Sequence, residues 1–336
     1  MKPQKKQKIF ITFSFICAAF LLLVFAASKL EKSFYADEVA DANQPLSLTE
    51  KYNGEADRIN FDGQQYQLNP DITTLLVMGI DNFGDAAESD SYNNSEQADF
   101  LMLVIIDNEN KTYTLLHLNR DTMTDVTILG LNGVPAGTEV EQLALAHTYG
   151  SGMKDSCENT ASAVSNLLYG VKIDYYLSMT MDAVADLNDL IGGVTLTVTD
   201  DFNSIIGLKA GETVTLTGSM ALTYVRNRKD ASDSTNLSRM ERQRQYISAF
   251  MIQFLKKYKE DRSLVLDAYS KTSKDLVTNL AADELEKLVD EVTNYRYNGI
   301  VTSEGSAKIG AEYMEFYVDE AALRKTVVEL YYKSCE

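Results

Sequence analysis

The chain has little of the residue types on which several protein classes depend. Its 336 residues include three cysteines and two histidines. Three cysteines are too few for a disulfide-built scaffold, and whether Cys157 pairs with Cys335 is left open by the sequence. His117 and His147 are the only imidazoles, so the chain offers few residues from which to build a zinc site or a Ser-His-Asp triad. The sequence also contains no internal repeat and no low-complexity tract.

Basic residues are also in the minority. The 31 Lys and Arg stand against 49 Asp and Glu, which gives a formal net charge of -18. A protein that coats nucleic acid needs clustered cations, so this class is excluded. At 45% hydrophobic and 24% charged residues, the chain is not a disordered polyanion. Residues 1–29 hold five lysines and no acid, which leaves 26 basic against 49 acidic residues elsewhere, a net charge of -23.

One hydrophobic run is long enough to cross a membrane. Residues 9–27 contain no charged side chain, and four lysines precede them. At about 1.5 Å per residue, a helix of this length spans roughly 28 Å, close to the hydrocarbon core of a bilayer. By the positive-inside rule, residues 1–8 form a cytoplasmic tail, and the rest of the chain is extracytoplasmic. We therefore predict a single-pass signal anchor; the alternatives are a cleaved signal peptide and a buried core helix.

The sequence after the anchor predicts a stalk and one mixed α/β domain. Residues 28–70 are polar and weakly patterned, which is typical of a stalk. Residues 71–260 are predicted to form the core, and residues 261–336 to complete the same domain as a helical part.

Periodicity and turn residues predict the elements of that domain. Apolar runs of strand length occupy 72–80, 100–106 and 112–118, and the turn-rich residues 107–110 predict a hairpin between the last two. A helix over 181–191 is predicted to end at Gly192-Gly193. The remaining predicted strands are 175–180, 194–198, 211–216, 299–302 and 313–317, and the remaining predicted helices are 139–149, 158–168, 219–226, 238–257, 262–270, 282–294 and 319–332.

Arginines are concentrated in one short window of this acidic domain. Guanidinium groups bind phosphate through several planar hydrogen bonds. Two of these arginines are three residues apart near the predicted start of a helix, where the helix dipole also favours anions. The window therefore predicts a phosphate-binding site, with a solvated basic face as the alternative. Its five arginines, out of ten in the chain, are Arg226, Arg228, Arg239, Arg242 and Arg244.

Acidic residues lie at the boundaries of two predicted strands. Asp81 directly follows the strand 72–80, and Asp99 directly precedes the strand 100–106. If these strands are neighbours, the two carboxylates meet at one edge of the sheet, where ligands commonly bind. Carboxylates and substrate phosphate oxygens together form a magnesium site. The alternative is that each aspartate is a turn or cap residue.

A third polar segment follows another predicted strand. Asn119, Arg120 and Asp121 come directly after the strand 112–118. Arg120 would then reach the same edge of the sheet, and Asp121 would pair with it or with another arginine. The alternative is a surface ion pair without a functional role.

Several segments in chain order resemble one family. The first three are 75–81 (LLVMGID), 98–103 (ADFLML) and 119–121 (NRD), and two structural signatures follow at 173–176 (IDYY) and 190–194 (LIGGV). The strongest match is 216–229 (LTGSMALTYVRNRK), which is followed by 239–243 (RMERQ). With these blocks, the chain resembles the LytR-CpsA-Psr family of cell-wall glycopolymer ligases over about residues 72–258.

The resemblance implies a fold and a reaction. The implied fold is an extracytoplasmic α/β domain with a central mixed β-sheet flanked by helices and an apolar cavity for a polyprenyl chain. The implied reaction moves a glycopolymer, such as teichoic acid or a capsule-like polymer, from a polyprenyl-pyrophosphate carrier to peptidoglycan with Mg²⁺ or Mn²⁺. Such chemistry depends on positioning and charge neutralisation.

The resemblance also assigns roles by position. Asp81 and Asp99 would hold the metal. The pyrophosphate would be bound by Arg120, Arg226, Arg228, Arg239, Gln243 and Gln97. The catalytic residues would be Arg120, Asp121, Arg226 and Arg228.

Four positions depart from the pattern of the family. Gln97 and Phe83 stand where the family usually has arginine, Asn236 replaces an acid, and Asn119 replaces a proline. The loss of two cations predicts weaker phosphate binding, and the loss of one carboxylate removes a base or an orienting group. Two alternatives to a ligase therefore stay open: a hydrolase acting on the same carrier, and a non-catalytic member that binds the carrier or regulates the envelope.

Overall fold

A computed structural model describes residues 57–89, 92–130, 133–199, 207–227, 236–310 and 313–335. The predicted anchor, most of the predicted stalk and Arg228 lie outside these residues. In the part of the chain that is described, no helix is both long enough and apolar enough to span a bilayer.

The described residues contain fifteen strands and seven α-helices. The strands are β1 (Arg58–Phe61), β2 (Gln64–Leu68), β3 (Ile72–Ile80), β4 (Ala98–Asp107), β5 (Thr112–Leu118), β6 (Met123–Leu129), β7 (Pro135–Gln142), β8 (Tyr175–Met179), β9 (Val194–Thr197), β10 (Thr213–Leu216), β11 (Leu276–Thr278), β12 (Arg296–Thr302), β13 (Gly305–Ile309), β14 (Met314–Val318) and β15 (Tyr332–Ser334). The helices are α1 (Lys154–Leu167), α2 (Met181–Leu190), α3 (Gly218–Arg226), α4 (Asn236–Glu260), α5 (Leu264–Thr272), α6 (Ala282–Val292) and α7 (Glu320–Tyr331), with short 3-10 helices at Leu143–Thr148 and Ser273–Asp275.

The centre of the fold is a six-stranded mixed sheet with the order β11-β8-β3-β4-β5-β12. β4 is antiparallel to both β3 and β5, whereas β8 is parallel to β3 and β12 is parallel to β5. The middle strands read as continuous apolar runs because helices cover both faces of the sheet. The strands predicted over 72–80 and 112–118 and the hairpin between β4 and β5 are confirmed.

Side chains alternate between two hydrophobic cores, one on each face of the sheet. In β3, Leu75 and Val77 pack into the core beneath α2 to α6, while Leu76 and Met78 pack into the core beneath α1 and α7. This alternation follows from the two-residue repeat of a strand. We call the two sides the α4 face and the α1 face.

The 25-residue helix α4 changes character along its buried side. Its first turns bury the polar side chains Arg239, Arg242 and Gln243. Further along, the same side buries Tyr246 and Phe250, followed by other apolar residues at helical spacing. The helix therefore places a buried cationic region at one end of an apolar surface, and this arrangement positions the candidate site.

The helix predicted over 139–149 is wrong. Residues 135–142 form β7, which pairs in antiparallel fashion with the unpredicted strand β6, and only 143–148 form a 3-10 helix. Pairing with β6 overrides the local helical preference of the Glu- and Ala-containing segment. The helix over 181–191 is confirmed as α2, and Gly192 and Gly193 follow it with positive φ.

The chain termini are also more strand-rich than predicted. β1 and β2 lie within the predicted stalk but form a three-stranded sheet with β15. The predicted helical part, 261–336, contains the five strands β11 to β15, and β12 is an edge strand of the central sheet. The strands predicted over 299–302 and 313–317 are confirmed as β12 and β14. The pairings of β15 with β2, of β12 with β5 and of β11 with β8 join residues far apart in sequence, so local periodicity does not reveal them. Cys157 and Cys335 are both free thiols.

Both histidines are buried, which yields a pH-dependent prediction. Burial lowers the pKa of His117 to about 3 and that of His147 to about 4, from an ordinary value of 6.5. As the pH falls, the imidazoles of the unfolded chain take up protons near pH 6.5, whereas those of the folded chain stay neutral to lower pH. The free energy of unfolding is therefore highest above pH 6.5 and decreases as the pH falls towards the folded pKa values. Between about pH 7 and pH 5, each imidazole should lower the free energy of unfolding by about 2 kcal/mol.

Nuclear magnetic resonance can test this directly, since the chain has only two imidazoles. We expect both ring Hε1 signals to stay at neutral-imidazole positions from about pH 8 down to pH 5.5. A titration of either signal with a midpoint near 6.5 would contradict burial in the neutral form.

Candidate functional site

Asp99 is the centre of a buried ion-pair network. The residue opposes no partner in β3, because Gly79 pairs with Phe100 and Ile80 pairs with Ala98. This β-bulge turns the Asp99 side chain towards the α4 face instead of the α1 face that simple alternation would give. The sequence placed Asp99 just before the strand, whereas it is the second residue of β4. The bulge therefore brings the carboxylate into the site.

Two arginines share the Asp99 carboxylate. Arg239 Nη1 donates to Oδ2 at 2.9 Å, and Arg120 Nη1 contacts Oδ1. The side chains of Arg239 and Arg120 are 2% and 11% exposed. One buried carboxylate thus brings two guanidinium groups together at one point. Guanidinium groups held close together in this way are suited to bind an anion through several hydrogen bonds.

Arg120 donates its other hydrogen bonds to one neutral and one acidic side chain. Its Nη2 donates to Gln97 Oε1 at 2.9 Å, and its Nε donates to Asp121 Oδ1 at 3.1 Å. Asp121 also accepts a hydrogen bond from Gln142 Nε2 at 3.3 Å. Gln97 and Asp121 therefore orient Arg120.

An asparagine pair orients Arg239 in the same way. Asn236 Oδ1 accepts from Arg239 Nε at 3.1 Å and from Nη2 at 2.7 Å, while Asn236 Nδ2 donates to Asn119 Oδ1 at 2.5 Å. The same Asn119 oxygen accepts the backbone N–H of Asp121 at 3.0 Å. Gln97, Asn119 and Asn236, three positions that depart from the family pattern, thus form hydrogen bonds inside the network.

Arg226 forms a second and more accessible ion pair. Its Nη2 donates to Asp81 Oδ1 at 2.8 Å, and the two side chains are 43% and 40% exposed. Its guanidinium also lies 4.8 Å from the centre of the Phe83 ring, a cation–π distance. Arg226 is the last residue of α3, so the helix C-terminus places this cation at the rim of the site.

A cavity of about 60 Å³ joins the two ion pairs. Asp99, Arg226, Arg239 and Gln243 line its polar end. Apolar side chains from β4, β8, α2, α3 and α4 line the rest: Phe100, Met179, Met181, Val184, Val225 and Ile247, with Tyr246 beside them. The space therefore combines a cationic mouth with a hydrophobic interior.

The arginine-dense window divides into residues with different roles. Arg226 and Arg239 line the cavity, and Gln243 lies beside them with its amide donating to Val225 O at 3.3 Å. Arg242 is fully buried and donates to the carbonyls of Tyr224 and Asn227 at the end of α3, so it holds that helix in place.

Phe100 lines the cavity, and sequence reasoning did not single it out. The signal was present in the alternation along β4, because Phe100, Met102 and Val104 all point to the α4 face. Asn119 and Asn236 were noted only as departures from a pattern, since their hydrogen bond joins residues 117 positions apart.

The charges of the site balance. Arg120, Arg226 and Arg239 pair with three aspartates, Asp81, Asp99 and Asp121. No group of three or more His, Cys, Asp or Glu side chains within the described ranges is arranged to hold a metal ion. Of the two carboxylates predicted as metal ligands, Asp99 lines the cavity, and Asp81 pairs with Arg226, which also lines it.

Comparisons with known proteins agree with this architecture. The model of the LytR_cpsA_psr family matches residues 35–330. A polyisoprenyl-teichoic acid–peptidoglycan teichoic acid transferase, TagU of Bacillus licheniformis, is 27% identical over 252 residues, which cover 74% of this chain and 71% of that protein. TagU of Bacillus subtilis is 29% identical over 182 residues, 54% of this chain and about half (52%) of that relative.

A solved structure shares the fold. The structure described as "TagT bound to LI-WTA" superimposes with a TM-score of 0.59 and 24% sequence identity, and the match covers 78% of this chain and 90% of that chain. The fold, the order of the motifs and the family match lead to one conclusion: the chain belongs to the LytR-CpsA-Psr family.

Proposed function

We propose that the protein transfers a glycopolymer, such as teichoic acid or a capsule-like polymer, from a polyprenyl-pyrophosphate carrier to peptidoglycan. The observation that carries this proposal is the cavity with arginines at its mouth and apolar side chains inside. A carrier lipid has the matching chemistry, with a charged pyrophosphate beside a hydrocarbon chain. Guanidinium groups match phosphate oxygens, and burial of the chain removes apolar surface from water.

The relatives support the same reaction. TagU of two Bacillus species is named a teichoic acid transferase acting between a polyisoprenyl carrier and peptidoglycan. The neighbour TagT is described as bound to LI-WTA. A transferase of this kind acts outside the cytoplasm, which agrees with the predicted anchor over 9–27 and a cytoplasmic N-terminus.

The proposed reaction is a phosphoryl transfer. A peptidoglycan hydroxyl oxygen forms a bond to the phosphorus next to the glycopolymer, and the bond from that phosphorus to the bridging oxygen breaks. Polyprenyl phosphate leaves with the bond electrons, and the hydroxyl proton passes to solvent. Arg120, Arg226 and Arg239 neutralise the charge that spreads over the phosphate oxygens. Gln97 and Asp121 hold Arg120 in the required orientation.

A divalent cation fits the donor set of this site. Mg²⁺ in such sites commonly uses one or two carboxylates together with substrate phosphate oxygens. Asp81 and Asp99 would hold Mg²⁺ or Mn²⁺, and the cation would supply further neutralisation of phosphate charge. In the structure, the same two carboxylates accept hydrogen bonds from Arg226 and Arg239, so they lie next to the groups proposed to bind the phosphates.

Product analysis tests the proposal. Purified protein is incubated with a polyprenyl-pyrophosphate-linked glycopolymer, with and without peptidoglycan, and with Mg²⁺ or a chelator. We expect a phosphodiester to peptidoglycan and free polyprenyl phosphate only when peptidoglycan and Mg²⁺ are both present. Release of the polymer to water at the same rate without peptidoglycan would identify a hydrolase instead. Binding of the carrier without any product would identify a non-catalytic member.

A further inference from the structure

A second void lies behind the cavity, on the same face of the sheet. It measures about 10 Å³ and is lined only by apolar side chains. Phe100 and Ile247 line both spaces, so they form the partition between them. The remaining lining residues of the second void are Val77, Met102, Val104, Leu115 and Met251.

The partition is held in place by its neighbours. Phe100 pairs with Gly79 across the strands, and a Cβ atom at Gly79 would lie 3.1 Å from Phe100 Cβ. On its other side, the Phe100 ring lies 5.1 Å from the ring of the buried His117. Ile247 approaches from α4 and is buried at 4% exposure. The ring is therefore packed between the sheet and the helix.

The space behind the partition is too small for a hydrocarbon chain. A void of about 10 Å³ has room for roughly one water molecule. A chain that enters at Arg226 and Arg239 therefore meets Phe100 after filling the first cavity. It continues along β4 only if the ring or Ile247 moves.

We propose that Phe100 and Ile247 close the deep end of the cavity and limit how much of the carrier lipid the protein recognises. This inference rests on the proposed function. Only the isoprene units nearest the pyrophosphate are bound inside, and the rest of the polyprenyl tail stays outside the protein. Tail length beyond those first units then contributes nothing to affinity.

Binding of prenyl pyrophosphates of increasing length tests the partition. Geranyl, farnesyl and geranylgeranyl pyrophosphate share one head group, and calorimetry gives their affinities for the native chain and for Phe100→Ala. We expect the native affinity to level off at farnesyl. In Phe100→Ala, affinity should rise by about tenfold or more from farnesyl to geranylgeranyl, because an added isoprene unit gains buried surface.

Two further variants separate the partition from cavity size. Met102→Ala enlarges the second void but leaves the Phe100 ring in place, so its length profile should match the native one. Ile247→Ala removes the opposite wall and should shift the profile in the direction of Phe100→Ala. Phe100→Leu, a smaller change, gives the same test if the alanine variant does not fold.

Three outcomes would overturn the inference. It is wrong if native affinity keeps rising with tail length, if Phe100→Ala and Phe100→Leu keep the native profile, or if Met102→Ala behaves like Phe100→Ala. The proposed function survives each of these, because the head group still binds. If no prenyl pyrophosphate binds the native chain at any length, the proposed function and the inference both fail.

Discussion

Replacing Asp99 by asparagine is expected to lower the free energy of unfolding by about 3–5 kcal/mol. The substitution keeps the shape of the side chain and removes its charge. Arg239 and Arg120, at 2% and 11% exposure, would then face each other without the carboxylate between them. Each guanidinium loses a charge-assisted hydrogen bond, and the two like charges repel in a poorly solvated site.

A matched control exists on the surface. Asp290 also pairs with an arginine, Arg262, but the two side chains are 57% and 59% exposed. Asp290→Asn should cost no more than about 1 kcal/mol, because water replaces the lost interaction. Chemical denaturation of both variants at neutral pH measures the difference. If Asp99→Asn costs as little as Asp290→Asn, the Asp99 network does not hold the fold together.

The double variant Asp99→Asn with Arg239→Gln sharpens the result. Removing Arg239 along with the Asp99 charge takes away one of the two cations that repel each other in the single variant, so part of the lost stability should return. A loss equal to the sum of the single variants would show that the two residues do not interact.

The central part of the fold was predictable because its signals are local. β3 and β5 are continuous apolar runs bounded by polar residues, and α2 ends at a pair of glycines. The prediction that Asp81 and Asp99 meet at one edge of the sheet depended on β3 and β4 being neighbours, and the pairing of these two strands confirms that condition.

Features that depend on distant pairing were not predictable. The β-bulge that turns Asp99 towards the α4 face exists only in the register of β4 against β3. β12 joins the sheet through parallel pairing with β5, about 180 residues earlier in the chain. The roles of Gln97 and Asn236 were also hidden. In the sequence, an amide at either position suggests only that a charged side chain has been lost. In the folded protein, the amide oxygen of each residue accepts hydrogen bonding from an arginine of the site.

Arg226→Ala is expected to reduce the rate of glycopolymer transfer by about 100- to 1000-fold, the usual effect of removing one donor that stabilises a developing anion. At 43% exposure on the rim of the cavity, Arg226 is the most accessible of the three site arginines. Asp81 and Phe83 hold its guanidinium over the mouth. Stability should change by no more than about 1 kcal/mol, since the ion pair is exposed.

Arg262 provides the control, because its surroundings are so similar. It pairs with an aspartate and lies 4.5 Å from the centre of an aromatic ring, Tyr258, but it does not line the cavity. Arg262→Ala should therefore transfer glycopolymer at the native rate. Arg226→Lys separates charge from shape: it keeps the cation but loses the planar fork. An intermediate rate for this variant would show that Arg226 contributes bidentate geometry as well as charge, whereas equal rates for Arg226→Ala and Arg262→Ala would remove Arg226 from the site.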